Sequence, residues 1–154
     1  MFTIIFPVLN ERLRLESGVT RTVEYLQSIA FEDYEIIIVD NGSEDETPQI
    51  AENLCKKYDK VKYERINVRG VGAAFRRGVE VSHGDVVGYM DIDLSTNIRH
   101  LGEAIHLFGT QPEIQYINGS RFARESDTRG RKWYRRITSQ GLLILLKLFL
   151  NIHV

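Results

Sequence analysis

A single cysteine, Cys55, rules out an internal disulfide and fits a reducing, cytoplasmic compartment in which that residue serves as packing. Neither sign of charge is in real excess: 20 basic residues against 21 acidic ones leave a formal net charge of −1, so no global field exists to gather nucleic acid. Long apolar runs are missing too. The stretch Met1 to Pro7 is too short to span a bilayer and has neither the basic region nor the small-residue cleavage site of a signal peptide, which leaves it to be a first strand. The chain also lacks low-complexity tracts, internal repeats and flexible linkers, and its 154 residues with 43% hydrophobic content point to one domain around one core. His83, His100, His106 and His153 have no ligand spacing and read as surface or turn residues.

What is present centres on Val86-Val87-Gly88-Tyr89-Met90-Asp91-Ile92-Asp93. This short apolar run, bounded by polar residues, predicts a buried strand that delivers two carboxylates to the carboxyl edge of a sheet. Open α/β sheets bind ligands at that edge. An Asp-x-Asp there suits a hard divalent cation, because Mg²⁺ takes one or two carboxylates and completes its shell with water and substrate phosphate oxygens. By itself the tripeptide is a weak signal, since many such tripeptides are solvated loops or N-caps.

The rest of the chain supplies the sheet. Phe2 to Val8 predicts a buried first strand, followed by a polar loop at Asn10-Glu11-Arg12 and a helix with Val19, Val23 and Leu26 on one face. Glu35 to Asp40 predicts a second buried strand ending in an acid. Ser43 and Glu46 then have capping-box spacing before Thr47-Pro48, and the helix they open buries Ile50, Leu54 and Tyr58. Val61 to Ile66 reads as a more polar third strand nearer a sheet edge. The glycine-bearing turn Arg69-Gly70-Val71-Gly72-Ala73-Ala74 runs into a helix whose start offers free N–H groups to an anion. It is not a dinucleotide fingerprint, since Phe75 stands at the third glycine position and the turn follows the third strand. After the acids come a helix carrying Ile98, Leu101, Ile105 and Phe108 and a further strand over Ile114 to Asn118.

Strands alternating with helices imply an α/β fold, a mostly parallel sheet with helices on both faces. Asp40, Asp91 and Asp93 then share one edge. Asp40 can accept hydrogen bonds from a base or ribose, or it only caps the turn that follows it. Asp91 and Asp93 can hold a cation against a diphosphate, so a nucleotide diphosphate would lie between them.

Phe6-Pro7-Val8-Leu9-Asn10-Glu11, Val39-Asp40-Asn41-Gly42-Ser43-Glu44-Asp45-Glu46-Thr47, Arg69-Gly70-Val71-Gly72-Ala73-Ala74, Asp91-Ile92-Asp93 and Gly119-Ser120-Arg121 together resemble the family 2 glycosyltransferases of GT-A (Rossmann-like) fold, in the family's order and spacing. Met90 to Thr96, with Gly119-Ser120-Arg121 and the basic stretch after it, is most similar to the dolichyl-phosphate mannose and dolichyl-phosphate glucose synthases. The resemblance implies a GDP-mannose or UDP-glucose donor, a polyprenyl (dolichyl) phosphate acceptor and Mg²⁺ or Mn²⁺. It implies that Pro7 and Glu11 line the nucleotide, that Asp40 contacts the base, and that Arg69 with Gly70 lies over the nucleoside. It implies that Asp91 and Asp93 serve the metal and the diphosphate and that Arg121 faces the phosphates. Asn41 stands where the family commonly has a second Asp, which alters a nucleoside contact. The family's catalytic domain continues past such a motif into a segment that builds the acceptor side, whereas this chain ends at Val154, so donor binding is the firmer expectation than turnover.

The expected organisation is a nucleotide-sugar-binding domain over 1–128 and, within the same domain, a basic and apolar helix over 129–154. There Arg129, Arg131, Lys132, Arg135 and Arg136 surround Trp133 and Tyr134, and Leu142 to Leu150 follows. That pattern reads as an interfacial helix making peripheral membrane or lipid-phosphate contact, with a core helix or a strand-like segment as the alternatives. An exposed Leu142 to Leu150 surface would invite homo-oligomer formation. The motif acids are the only evident bases, which favours an anionic phosphate acceptor over a saccharide hydroxyl. A nucleotidyltransferase would need a glycine-rich basic loop after the first strand, where this chain has Pro7 to Glu11. A sugar-nucleotide-binding protein without activity is the non-enzymatic alternative.

Overall fold

The computed structural model describes residues 1–119, as β1 (Phe2–Val8), α1 (Leu15–Ser28), β2 (Tyr34–Asp40), α2 (Thr47–Lys57), β3 (Val61–Arg65), α3 (Val71–Val81), β4 (Val86–Tyr89) and α4 (Arg99–Thr110). The chain divides into two compact units, Met1–Gln115 and Tyr116–Val154. All of these elements belong to the first. Of the second, 116–119 are described and carry no regular structure. The expectations for Arg121 and for 129–154 fall outside the described residues.

Among the described residues the sheet is parallel, in the order β3-β2-β1-β4. The chain steps outward from β1 to β2 to β3, then returns to place β4 on the other side of β1. This reversal of direction opens a crevice beyond the carboxyl ends of β1 and β4, the topological switch point of an open α/β sheet. β1 and β2 are central and read as near-continuous apolar runs because both of their faces are covered. Phe2, Ile4, Phe6 and Val8 alternate onto one face, where they meet Leu15, Val19, Val23 and Leu26 of α1, Ala51 and Leu54 of α2, and Leu101 of α4. Ile5, Ile37 and Val39 fill the other face under Ala74 of α3. Each such fully buried aliphatic side chain contributes roughly 1.5–3 kcal/mol.

At the amino ends of the strands, buried Glu35 accepts hydrogen bonds from the Thr3 hydroxyl (2.7 Å), the His83 N–H (2.6 Å) and the Lys62 ammonium (2.7 Å). Burial alone would raise this carboxyl, but those donors outweigh it and bring Glu35 down from its ordinary 4.5 to about 2. The cluster ties β1, β2, β3 and the α3–β4 turn together at the end of the sheet away from the crevice.

Three local expectations are corrected. No strand forms over Ile114 to Asn118: the Ile114 N–H closes a turn onto the Gln111 carbonyl at 3.1 Å, and Tyr116 is 79% exposed, so the segment buries too little to pay for pairing. β4 stops at Tyr89, before the acids, and is half-buried, because among the described residues it pairs with β1 alone. The Ser43/Glu46 capping box does not form. Glu46 makes no side-chain cap at the start of α2, and the Ser43 hydroxyl is taken by another loop.

Candidate functional site

Two loops that follow neighbouring strands are joined side to side. The Asn10 N–H donates to Ser43 Oγ at 2.9 Å, and the Glu44 N–H donates back to Asn10 Oδ1 at 2.9 Å. The Glu11 N–H reaches Thr47 Oγ1 at 2.8 Å, and the Arg12 N–H reaches Asp45 Oδ2 at 3.3 Å. Asn10 takes φ 56°, in the left-handed region that asparagine tolerates, which lets its side chain face the second loop. The motif residues between Asn10 and Thr47 therefore build one rim of the crevice.

Glu11 leaves that rim with its carboxylate gripped by Arg14, through Nε to Oε2 at 2.7 Å and Nη2 to Oε1 at 2.9 Å. This two-pronged arginine–carboxylate geometry fixes the orientation of both groups.

Asp40 and Asn41 have opposite circumstances. Asp40 is fully buried: Oδ1 accepts the N–H groups of Gly42 (3.1 Å) and Ser43 (2.7 Å), and Oδ2 accepts the Tyr63 hydroxyl (3.0 Å). Burial first and then this bond to Asp40 push Tyr63 up to about 12, so the phenol stays a donor. Asp40 thus builds the turn. Asn41 is 3% exposed, yet among the described residues its Oδ1 has no hydrogen-bond partner. An orphaned buried acceptor costs about 1–3 kcal/mol, which a ligand's donor would recover.

The acids stand on a turn. Met90 still donates to the Ile5 carbonyl at 3.1 Å, and then Asp91-Ile92-Asp93-Leu94 closes with the Leu94 N–H on the Asp91 carbonyl at 3.1 Å. Ile92 is driven into the core, 4% exposed, while Asp91 and Asp93 on either side of it stay exposed. Asp93 Oδ1 accepts the Ser95 N–H at 2.9 Å, which holds its carboxylate in place.

These pieces enclose a groove of about 370 Å³, within the range of small-molecule sites. Pro7, Glu11 and Asn41 line one side, Asp91 and Asp93 another, and Gly70 closes it at the start of α3, where the first N–H groups of a helix are free for an anion. Gly70 adopts φ 139°, which side chains rarely take, and open space surrounds it. Two exposed carboxylates on one rigid turn are hard oxygen donors of the kind and number that Mg²⁺ or Mn²⁺ takes when substrate phosphates complete the shell, so the residues fit such an ion. Among the described residues, no three His, Cys, Asp or Glu side chains converge on one point.

Of the expected site residues, Pro7, Glu11, Asn41, Gly70, Asp91 and Asp93 come together. Asp40 lies beneath the groove and not on its wall. Arg69 pairs with Glu44 on the exposed surface, next to the groove-lining Gly70. Leu9, Arg14, Val71 and Ile92 also line the groove and were not foreseen. For Arg14 a signal existed, since it stands three residues after Glu11, at ion-pair spacing for the helical turn it enters.

Comparison with known proteins gives this geometry relatives. The family model described as glycosyl transferase family 2 matches residues 3–153. The chain is 36% identical over 153 residues to glycosyltransferase AglD of Haloferax volcanii, covering 97% of this chain and 24% of that protein. It is 30% identical over 143 residues to a dolichol-phosphate mannosyltransferase of Pyrococcus furiosus, covering 93% of this chain and 39% of that one. The chain therefore spans well under half the length of either relative. Among solved structures, glucosyl-3-phosphoglycerate synthase of Mycobacterium tuberculosis, in complex with Mn²⁺, uridine diphosphate and glucosyl-3-phosphoglycerate, superposes with a TM-score of 0.55 at 23% identity, over 71% of this chain and 40% of that one.

Proposed function

This chain belongs to glycosyl transferase family 2, and on that premise we propose that its groove binds a nucleotide-diphosphate sugar, GDP-mannose or UDP-glucose, for transfer of the hexose to a polyprenyl phosphate. The observation that carries the reading is the convergence of Pro7, Glu11, Asn41, Gly70, Asp91 and Asp93 on one groove at the switch point of the sheet. The similarity to a dolichol-phosphate mannosyltransferase supports the acceptor class.

The nucleoside lies against Pro7 and Glu11, with a donor group of the base or ribose on the orphaned Oδ1 of Asn41. The diphosphate lies between the α3 start and the Asp91–Leu94 turn. Asp91 and Asp93 hold Mg²⁺ or Mn²⁺, which when bound neutralises charge on the departing nucleoside diphosphate. Arg121, to which the resemblance gives a role toward the phosphates, lies outside the described residues. In the transfer, an acceptor phosphate oxygen forms a bond to the anomeric carbon while the bond from that carbon to the diphosphate breaks, and the electron pair leaves with the nucleotide.

A hydroxyl acceptor would need a base in the groove. Among the described residues its acids are Glu11, Asp91 and Asp93, and Glu11 is committed to Arg14. A phosphate acceptor arrives already ionised and needs none. The basic cluster from Arg129 to Arg136 supplies peripheral contact with the lipid's membrane.

Thermal melts with a panel of nucleotide sugars, each with and without Mg²⁺ or Mn²⁺, test the reading. A ligand at a hundredfold its Kd stabilises by roughly 2.7 kcal/mol. One nucleotide sugar that shifts the melt only with metal is the expected result, and transfer to polyprenyl phosphate over a free saccharide then fixes the acceptor. A panel without any shift would refute donor binding.

A further inference from the structure

We infer that Gly18, in the second turn of α1 and outside the groove, is a positioning residue that sets where Asp91 and Asp93 stand. This rests on the reading that those two acids hold the cation. The turn that carries them has one deep anchor, Ile92, and the surface on which Ile92 rests is Gly18. A Cβ placed on Gly18 would lie 2.3 Å from the Ile92 carbonyl oxygen, 2.8 Å from its Cδ1 and 3.0 Å from its Cγ1. The nearest of these atoms is main chain, so no rotamer change relieves the contact and the whole turn must move.

Little else can take up that displacement. The turn is closed by its own Asp91–Leu94 hydrogen bond, Leu94 holds φ 49°, and upstream Met90 is still fixed to β1. Two carboxylates flanking the displaced residue would shift together relative to Pro7, Glu11 and Asn41 of the same groove. The helix is held at the same point from its own side: the Gly18 N–H donates to the Arg14 carbonyl at 2.8 Å, and the Thr22 hydroxyl donates to the Gly18 carbonyl at 2.9 Å. The absent side chain at position 18 is therefore part of the geometry of the acid pair.

The test compares Mn²⁺ uptake, read by electron paramagnetic resonance in the presence of UDP and separately of GDP, in the wild-type chain, Asp93→Asn, Gly18→Ala and Gly102→Ala. Gly102 is the control, since a Cβ there would come within 2.3 Å of the Tyr25 hydroxyl, the end of a side chain and not part of the acid turn. Gly18→Ala should weaken Mn²⁺ binding at least tenfold while keeping a cooperative melt, and Gly102→Ala should stay within twofold of wild type. Mn²⁺ affinity within twofold of wild type in Gly18→Ala, with the ion lost in Asp93→Asn, overturns the inference while the site stands. Failure of the wild type itself to take up Mn²⁺ with either nucleotide overturns the site and the inference together. Should Gly18→Ala not fold, Ile92→Ala loosens the same seat from the other side: weakened uptake supports the inference and wild-type uptake refutes it.

Discussion

Asn41→Leu should stabilise the protein and weaken its ligand, a pairing of signs that few substitutions produce. In the free protein the Asn41 Oδ1 is buried at the groove without a donor among the described residues. Leucine has nearly the shape of asparagine and removes that unmet acceptor. Since the penalty is about 1–3 kcal/mol and the new methyls fit imperfectly, a net gain of about 1–2 kcal/mol is expected. For a chain of this size that raises Tm by roughly 2–8 °C. With nucleotide bound the balance reverses, because the ligand's donor is then the group left unpaired, and affinity should fall roughly five- to hundredfold. Differential scanning fluorimetry gives the first quantity and titration calorimetry with UDP and GDP the second. A variant that melts lower than wild type, or binds nucleotide as tightly, would refute the assignment of Asn41 as an acceptor held open for ligand.

The other expectations are more direct. Asp93→Asn should abolish the metal-dependent shift of the melt by nucleotide sugar while leaving the metal-free Tm within a degree or two; unchanged affinity would sink the cation assignment. Asp40→Asn sets an amide N–H₂ against donors that Asp40 now accepts, so it should cost about 1–3 kcal/mol of stability with nucleotide affinity of the folded protein within threefold. A selective loss of affinity at unchanged Tm would instead put Asp40 in contact with the nucleoside. Glu35 titrates lower in the folded chain than in the unfolded one, so its contribution is complete above about pH 4.5 and disappears as pH falls toward about 2. Glu35→Gln should lower stability at pH 7 by on the order of 3 kcal/mol and flatten the acid limb of a urea-melt series, with donor binding untouched. An acid limb as steep as wild type would show that the cluster does not hold Glu35 ionised.

How much could be read from the sequence follows from how local each signal is. β1 and β2 were legible to within a residue because a strand buried on both faces must be apolar at nearly every position, and a loop polar enough to end it stands beside each. β4 was legible as an element but not in its end: Met90 continues the apolar run, while the chain has already left the ladder to make the Asp91–Leu94 turn. The edge position of β3 was legible from Lys62 and Glu64, charges a central strand would not carry. The capping box failed because Ser43 had a partner thirty-three residues away in Asn10, and spacing along the chain cannot show a competitor from another loop. Gly18 carried no readable signal at all. Inside a helix it costs about 1 kcal/mol relative to alanine, and only the nearness of Ile92 explains it.

The same distinction sorts the groove's motif residues into two kinds. Asn10, Ser43, Asp45 and Thr47 use their side chains to join the two loops of the rim, so losing one should lower stability and affinity together, whereas Asp40, beneath the groove, holds its own turn and Tyr63, and its loss should lower stability alone. Asn41 and Asp93 face the groove from loops that others hold in place, and their substitution should separate the two quantities. Glu11 belongs to both kinds, with its N–H on Thr47, its carboxylate on Arg14, and one side of it in the groove. A polar motif in an α/β fold is thus no guide to ligand contact until its internal hydrogen bonds have been followed. Asp40, the most acid-like position of its motif, is the residue most fully enclosed by the protein's own donors, and its less conspicuous neighbour is the one with an atom to offer.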